Sequence, residues 1–300
     1  MLDLGYVWFL QDEARRPVVD ALAQAGKASA FDLPRDRCRG EHGKRIERQL
    51  VGLLTDREQI SPELLEDMAQ VEYPLYFIDL ESLRTVIPPR SGGRVNGLTL
   101  FQLSVHTCVA PGSPLVHHEW LHADEVDPNA AFVTALRSVV GDEGSILTWS
   151  EYEAQSLSEI LRELPSDRIE DGDAQWLHGL LQSGRIVDQH RMCYDHYWHP
   201  LMGGSCSIKK VLRATWSERS PVKQWPPFSE MEFDVDPYAI LQRSGAVSEG
   251  CGAMEAYLTM QSGAPEDRVA ARQQLLAYCG TDTLAQVFIW SYWAWRLSPE

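Results

Sequence analysis

The sequence predicts an α/β domain over residues 73–300, built on a mixed β-sheet flanked by helices, behind a helical N-terminal extension over residues 1–72. Three observations lead there. Strand-length apolar runs come first in meander and then alternate with amphipathic stretches of helical period, the order that a mixed sheet in an α/β layer produces. Residues before 73 show helical periodicity and no motif of chemistry. The chain has 300 residues and 44% hydrophobic content, which exceeds what one core requires and reaches the size at which a domain acquires an appendage.

In the extension, residues 12–24 read as a helix that stops at Gly26, and residues 44–54 place Ile46, Leu50, Leu53 and Leu54 on one face. Ser61-Pro62 supplies a cap and a first-turn proline for a helix through Met68. From Tyr73 the pattern changes: Pro74-Leu-Tyr-Phe-Ile78 is a buried strand that ends on Asp79-Leu-Glu81. Arg90 to Gly97 is a glycine-rich turn, Leu98 to Val109 alternates as a second strand, and His117 to Leu121 offers a third. Asp127-Pro128 opens a helix through Val140, Gly144 to Trp149 is a fourth strand, and Glu151 to Leu164 is a helix burying Leu157, Ile160, Leu161 and Leu164. Residues 184–198, 205–214, 236–242 and 253–261 read as helical, with a proline-rich connection over 221–227. Residues 266–297 are the longest helical pattern and close the domain.

Composition excludes several classes. The longest apolar stretches fall short of the roughly 20 residues of a membrane span. The N-terminus lacks the basic start of a secretory signal, so the chain is read as cytoplasmic. Six cysteines without a CxxC pair argue against a structural zinc site and a disulfide framework. A formal charge of −16 is unusual for a nucleic-acid enzyme, whose phosphate-binding face is normally basic; bound divalent cations or a partner would have to offset it.

Asp79 and Glu81 stand at i and i+2 of a strand, so both carboxylates leave the same face. Like charges held there repel unless cations bridge them, as in a two-metal phosphodiester site. Tyr278 and Asp282 stand at i and i+4 of the last helix and share a face framed by Leu275, Leu276 and Ala285. Gly280 between them costs about 1 kcal/mol relative to alanine in a helix, which points to a close approach to the backbone. Taken singly, each pair also fits a solvated strand end or an ordinary tyrosine beside a surface acid.

Phe77-Ile-Asp79-Leu-Glu81 and Tyr278-Cys-Gly-Thr-Asp282 together resemble the first and third motifs of the DEDD exonucleases of the tyrosine subtype. In that superfamily the second motif is an acid at a helix start after a strand. Thr148-Trp-Ser-Glu-Tyr152-Glu153 holds that place, with glutamate where the superfamily usually has aspartate. Residues 73 to about 290 also look like an uncharacterised bacterial domain family often found after a RecB-like nuclease module. That likeness rests on Pro74 to Glu81, Phe101-Gln-Leu-Ser-Val-His106, Tyr152-Glu153, Arg185-Ile-Val-Asp188 and His199 to Leu212. The resemblance implies a ribonuclease H-like fold and 3′-to-5′ hydrolysis of DNA or RNA by two Mg²⁺ or Mn²⁺ ions. It implies Asp79, Glu81, Glu153 and Asp282 as metal ligands, Tyr278 as the group aligning the nucleophilic water, and Asp188 as an outer acid near the substrate. It further implies a single-stranded 3′ end as substrate, and a partner nuclease or helicase module.

Ser207-Ile-Lys209-Lys210 opens a helix behind Gly203-Gly204, where backbone N–H groups and a lysine could take a phosphate, or where a capped helix simply carries solvated lysines. Gln102 and His106 share a strand face and are read as lining the sheet edge. His190, His196 and His199 lack zinc-pair spacing, and His199 beside Pro200 is read as pinning a loop. Trp290, Trp293 and Trp295 cannot share one helix face, so an exposed aromatic patch there would suit a dimer or partner domain. Two other functions fit the same acids: a catalytically inactive nucleic-acid-binding or scaffold module of the same fold, and a hydrolase of small phosphoesters.

Overall fold

The computed structural model describes residues 18–27, 29–34, 40–86, 94–123, 128–163, 171–230, 238, 247 and 250–298. The expected helix start at 12–17, the turn residues 90–93, the cap Asp127, Leu164 and the helix at 236–242 apart from Tyr238 lie outside the described residues. The elements begin with α1 (Val18–Gln24), α2 (Gly40–Thr55), β1 (Gln59–Ile60), α3 (Glu63–Ala69), β2 (Leu75–Arg84) and β3 (Leu98–Cys108). Next come β4 (Val116–Leu121), α4 (Pro128–Val140), β5 (Ser145–Thr148), α5 (Tyr152–Glu163), α6 (Asp171–Gln182) and β6 (Ile186–Asp188). The chain continues with α7 (Gln189–His196), β7 (Tyr197–Trp198), α8 (Ile208–Ser217), α9 (Gly250–Ser262) and α10 (Pro265–Leu297). No helix among the described residues is long and apolar enough to cross a membrane.

The chain divides into two compact units. One comprises Gln70–Gln189 and Ser220–Trp293; the other joins the N-terminal residues through Ala69 to His190–Arg219 and the stretch from Ala294. The larger unit holds a five-stranded sheet in the order β4-β3-β2-β5-β6. β2 and β4 run antiparallel to β3, while β5 and β6 follow β2 in parallel. Tyr76, Ile78 and Leu80 of β2 point into a core shared with Phe132, Val133 and Leu136 of α4, Leu157 and Ile160 of α5, and Leu177 and Leu180 of α6. On the opposite face Phe77 meets Trp290 of α10 edge-on at 6.3 Å, and Phe101 stacks on Tyr257 of α9 at 4.1 Å. Helices thus cover both faces. That is why β3, expected to alternate, is buried along nearly its whole length.

The stretch 184–198, read as helical, instead holds the short strand β6 ahead of α7. Its two apolar residues are too few for periodicity to separate strand from helix. Trp290 and Trp293 are buried and Trp295 is half-buried, so the expected aromatic patch is largely core. Leu54, placed by period on the buried face of α2, is exposed.

In the smaller unit residues 190–219 fold onto the N-terminal segment, a grouping that the division at residue 72 does not anticipate. β1 pairs antiparallel with β7, and the Arg45 guanidinium lies 3.6 Å over the Tyr194 ring while donating to the Gly204 carbonyl at 3.0 Å. His199 accepts from the Leu201 amide at 3.1 Å and contacts Glu218 at 2.9 Å, so it does fix a turn. Gly52 of α2 lies against the buried Trp198 indole, where a methyl group would stand 2.2 Å from ring carbons. Gly52→Ala should therefore cost at least about 1 to 3 kcal/mol through overpacking. A thermal melt that matches wild type would mean that the indole yields freely.

Candidate metal centre

The strand β2 positions the first pair of acids. Asp79 pairs with Ser104 and Glu81 with Gln102 across the ladder to β3, and the register shifts immediately after Glu81. Phe101 of β3 is the extra residue, and pairing resumes with Ser82 opposite Leu100, so the irregularity sits beside Glu81. Gln102 donates to the Leu275 carbonyl at 2.8 Å, and Gln286 donates to the Ile78 carbonyl at 2.9 Å, so α10 is tied across the strand that carries the acids. This tie brings Asp282 to Asp79 and Glu81: one carboxylate oxygen from each lies within 4.8 Å of the others. That span is about twice a cation–oxygen distance of 2.1 to 2.4 Å, so one hard cation can touch all three.

Glu153 stands in the first turn of α5, outside that group of three, and its charge acts on Asp79. Ser150 accepts from the Tyr152 amide at 3.0 Å and donates to the Glu153 carboxylate at 3.1 Å, holding the helix start and the acid together. The Tyr152 and Ser82 hydroxyls are hydrogen-bonded, which links this start to the end of β2. Glu153 is buried, and burial pushes it up to about 7, with Asp188 and Asp282 acting in the same direction against its hydrogen bonds. Asp188 ends β6 opposite Thr148. It also lines, with Ser150, Gln155, Ser158 and Arg162, a cleft of about 430 Å³.

The carboxylates of the cluster act on one another as like charges. Burial pushes Asp79 well above the usual carboxylate range, and the neighbouring charges that act on it, Asp282, Glu81 and Glu153, all share its sign. The Cys279 thiol opposes this by donating to Asp79 Oδ2 at 3.1 Å. All-oxygen donors of this kind suit Mg²⁺, Mn²⁺ or Ca²⁺ better than softer ions. Burial, then Asp282 and Glu81, raise Tyr278, which keeps its phenol protonated.

The sequence reading missed Tyr238. Its hydroxyl donates to Asp282 Oδ1 from a buried position. No spacing rule reveals it, because its partner lies 44 residues away. Behind Asp282, Thr283 bonds both Ser104 and His106 at 2.8 Å, and Ser104 bonds His117 at 2.9 Å. His106 stacks on His117 at 4.3 Å, and burial followed by the His117 charge takes His106 down to about 3. Gln102 and His106 therefore anchor α10 rather than line an edge. A Cβ at Gly280 would meet the His117 ring at 3.4 Å, the edge of ordinary van der Waals contact, so the expected close approach does not explain the glycine. Ser207 and Lys209 belong to the smaller unit, at the start of α8, where Ser207 makes no side-chain capping bond.

The fold and site define an α/β domain with a mixed sheet and a partly buried carboxylate cluster. Residues 76–207 match a family model described as a domain of unknown function (DUF2779). The match includes Asp79, Glu81, Glu153 and Asp188 and stops short of Tyr238, Tyr278 and Asp282. Neither the curated proteins nor the solved structures contain a match to this chain.

Proposed function

We propose that this chain is a metal-dependent 3′-to-5′ exonuclease of the DEDD tyrosine subtype on a ribonuclease H-like fold. The observation that carries the reading is the convergence of Asp79, Glu81 and Asp282 within 4.8 Å, from a strand and a helix some 200 residues apart, with the Glu153 charge acting on Asp79. The sheet supports it as well, with the acid-bearing strand central, antiparallel to the second strand and parallel to the fourth and fifth. Asp79, Glu81, Glu153 and Asp282 would hold two Mg²⁺ or Mn²⁺ ions, which when bound lower the pKa of water and neutralise charge on the phosphate.

The chain's own groups divide the remaining work. Tyr238 and Cys279 orient Asp282 and Asp79 by donating to one oxygen of each. Tyr278 would align the attacking water or a phosphate oxygen through its hydroxyl. Asp188 and Ser150 begin the cleft that would receive the adjoining nucleotide. The formal charge of −16 favours a second reading, a hydrolase of small phosphoesters.

5′-end-labelled DNA and RNA oligomers, incubated with Mg²⁺, Mn²⁺ or chelator, test both. The expected result is metal-dependent shortening from the 3′ end with release of nucleoside monophosphates. Internal cuts, digestion from the 5′ end or activity in chelator would overturn the proposal. Turnover of dinucleotides but not oligomers would select the second reading.

A further inference from the structure

The cleft of about 430 Å³ is lined by residues of α5, the end of α6 and the edge strand β6, and its volume falls in the range of small-molecule sites. It adjoins the acids: Ser150 of its lining donates to Glu153 at 3.1 Å, and Ala154 and Gln155, which follow Glu153 on α5, line it as well. What distinguishes it is the kind of polar group it offers a ligand.

The hydroxyl hydrogens of the lining are already committed. Thr148 donates to the Ser150 carbonyl at 2.8 Å, Ser158 to the Ala154 carbonyl at 2.8 Å, and Ser150 to Glu153. A hydroxyl has one hydrogen and two lone pairs, so these groups keep only acceptor capacity for a ligand. The Gln155 amide donates to Glu151 at 3.3 Å, and Glu151 and Asp188 add carboxylates, which when ionised accept only. A phosphate would meet like charge and few donors on this wall, whereas a hydroxyl or an amino group finds acceptors. Leu180, Leu181 and Ile186 complete the lining with apolar surface on which a base can lie.

We propose that this cleft is a ribonucleoside site, in which the 2′-hydroxyl of the sugar donates to the acceptor wall, and that the substrate of the proposed hydrolysis is therefore RNA. The substrate rests on that hydrolytic reading; the site itself rests on the lining. The 2′-hydroxyl is the donor that deoxyribose lacks, and it is the group by which a protein tells the two nucleic acids apart. A site arranged to bond a hydroxyl discriminates strongly against the analogue without it, because its polar groups are then left unpaired. Arg162 is the one cation among the described lining residues. It stands nine residues beyond Glu153 on α5, about 14 Å along the helix, which places it to meet a phosphate farther along the strand and not the one under attack.

The test uses the full chain and two measurements. In the first, 5′-end-labelled RNA and DNA of one sequence are incubated with Mn²⁺, beside RNAs that carry a single 2′-deoxy sugar at successive positions from the 3′ end. RNA should be shortened at least about tenfold faster than DNA, and one deoxy sugar, at the position that enters the cleft, should remove most of that difference. In the second, the dinucleoside phosphate ApA and its deoxy counterpart are titrated in chelator, where nothing is hydrolysed. ApA should bind at least about tenfold more tightly, and Ser158→Leu, which removes an acceptor from a half-buried position of α5, should abolish the preference. Equal shortening of RNA and DNA overturns the RNA assignment and leaves the hydrolytic reading standing. No shortening of either polymer, with ApA still preferred, removes the hydrolytic reading and keeps the ribonucleoside site. Equal binding of the two dinucleotides, or binding of neither, overturns the site. The wild-type comparisons decide the matter even if the leucine variant folds poorly.

Discussion

Asp79→Asn should raise the melting temperature of the metal-free protein while reducing metal-dependent hydrolysis by about a thousandfold or more. Both effects have one origin. In the folded chain Asp79 is desolvated and faces Asp282, Glu81 and Glu153, so its charge opposes folding unless a cation is present. Asparagine keeps the shape, and its side-chain oxygen can still accept from Cys279. What is lost is the repulsion and a cation ligand. Melts with and without Mn²⁺, set beside an oligomer-shortening assay, check the two halves separately. A clear fall in melting temperature of the metal-free variant would mean that Asp79 has a structural partner and is not held in repulsion.

The second large effect concerns pH. Glu153 titrates near 7 in the folded chain against 4.5 for an unhindered glutamate, so the unfolded chain releases this proton first as pH rises. The protonated acid favours the folded state fully below pH 4.5, and that contribution is lost as pH climbs through 7. The span corresponds to about 3 kcal/mol. Metal-free wild type should therefore weaken from pH 4.5 to about 7, the interval between these two values, and level off above it. Glu153→Gln should be flatter over that interval and more stable at its upper end. Mn²⁺ should suppress the pH dependence of wild type alone. Denaturant titrations at several pH values, with and without Mn²⁺, test this; parallel curves for wild type and variant would show that Glu153 is not buried as an acid. In the hydrolysis assay Glu153→Asp should lose activity that excess Mn²⁺ partly restores, and Glu153→Gln should lose more, because it keeps the length but not the charge.

Legibility in the sequence varied with the range of the interaction. Asp79 and Glu81 were readable because strand geometry alone puts i and i+2 on one face, and Tyr278 with Asp282 because a helix brings i and i+4 together. Tyr238 was not readable, since its value lies in a hydrogen bond to Asp282 that only the folded chain creates. The strand β6, with three half-buried residues, carries too little pattern to be told from the helix that follows it. The helix α6 carries no cap or motif that marks it in the sequence. Its amphipathic face is legible only once Leu177 and Leu180 are known to complete the core under β2. The attachment of residues 190–219 to the N-terminal segment rests on β1 meeting β7 and on Trp198 filling the space that Gly52 leaves, both contacts between distant parts of the chain.

The contact between Cys279 and Asp79 joins residues 200 positions apart. During synthesis, at roughly 5 to 20 residues per second, about 10 to 40 seconds separate the emergence of its two halves. Over that interval the nascent β2 carries its acids without Asp282 and without α10 over its exposed face. The cluster is therefore among the last parts of the larger unit to assemble, and an incomplete chain lacks the Asp282 carboxylate. On the proposed function, completion of the last helix would act as a built-in delay between making this chain and arming it.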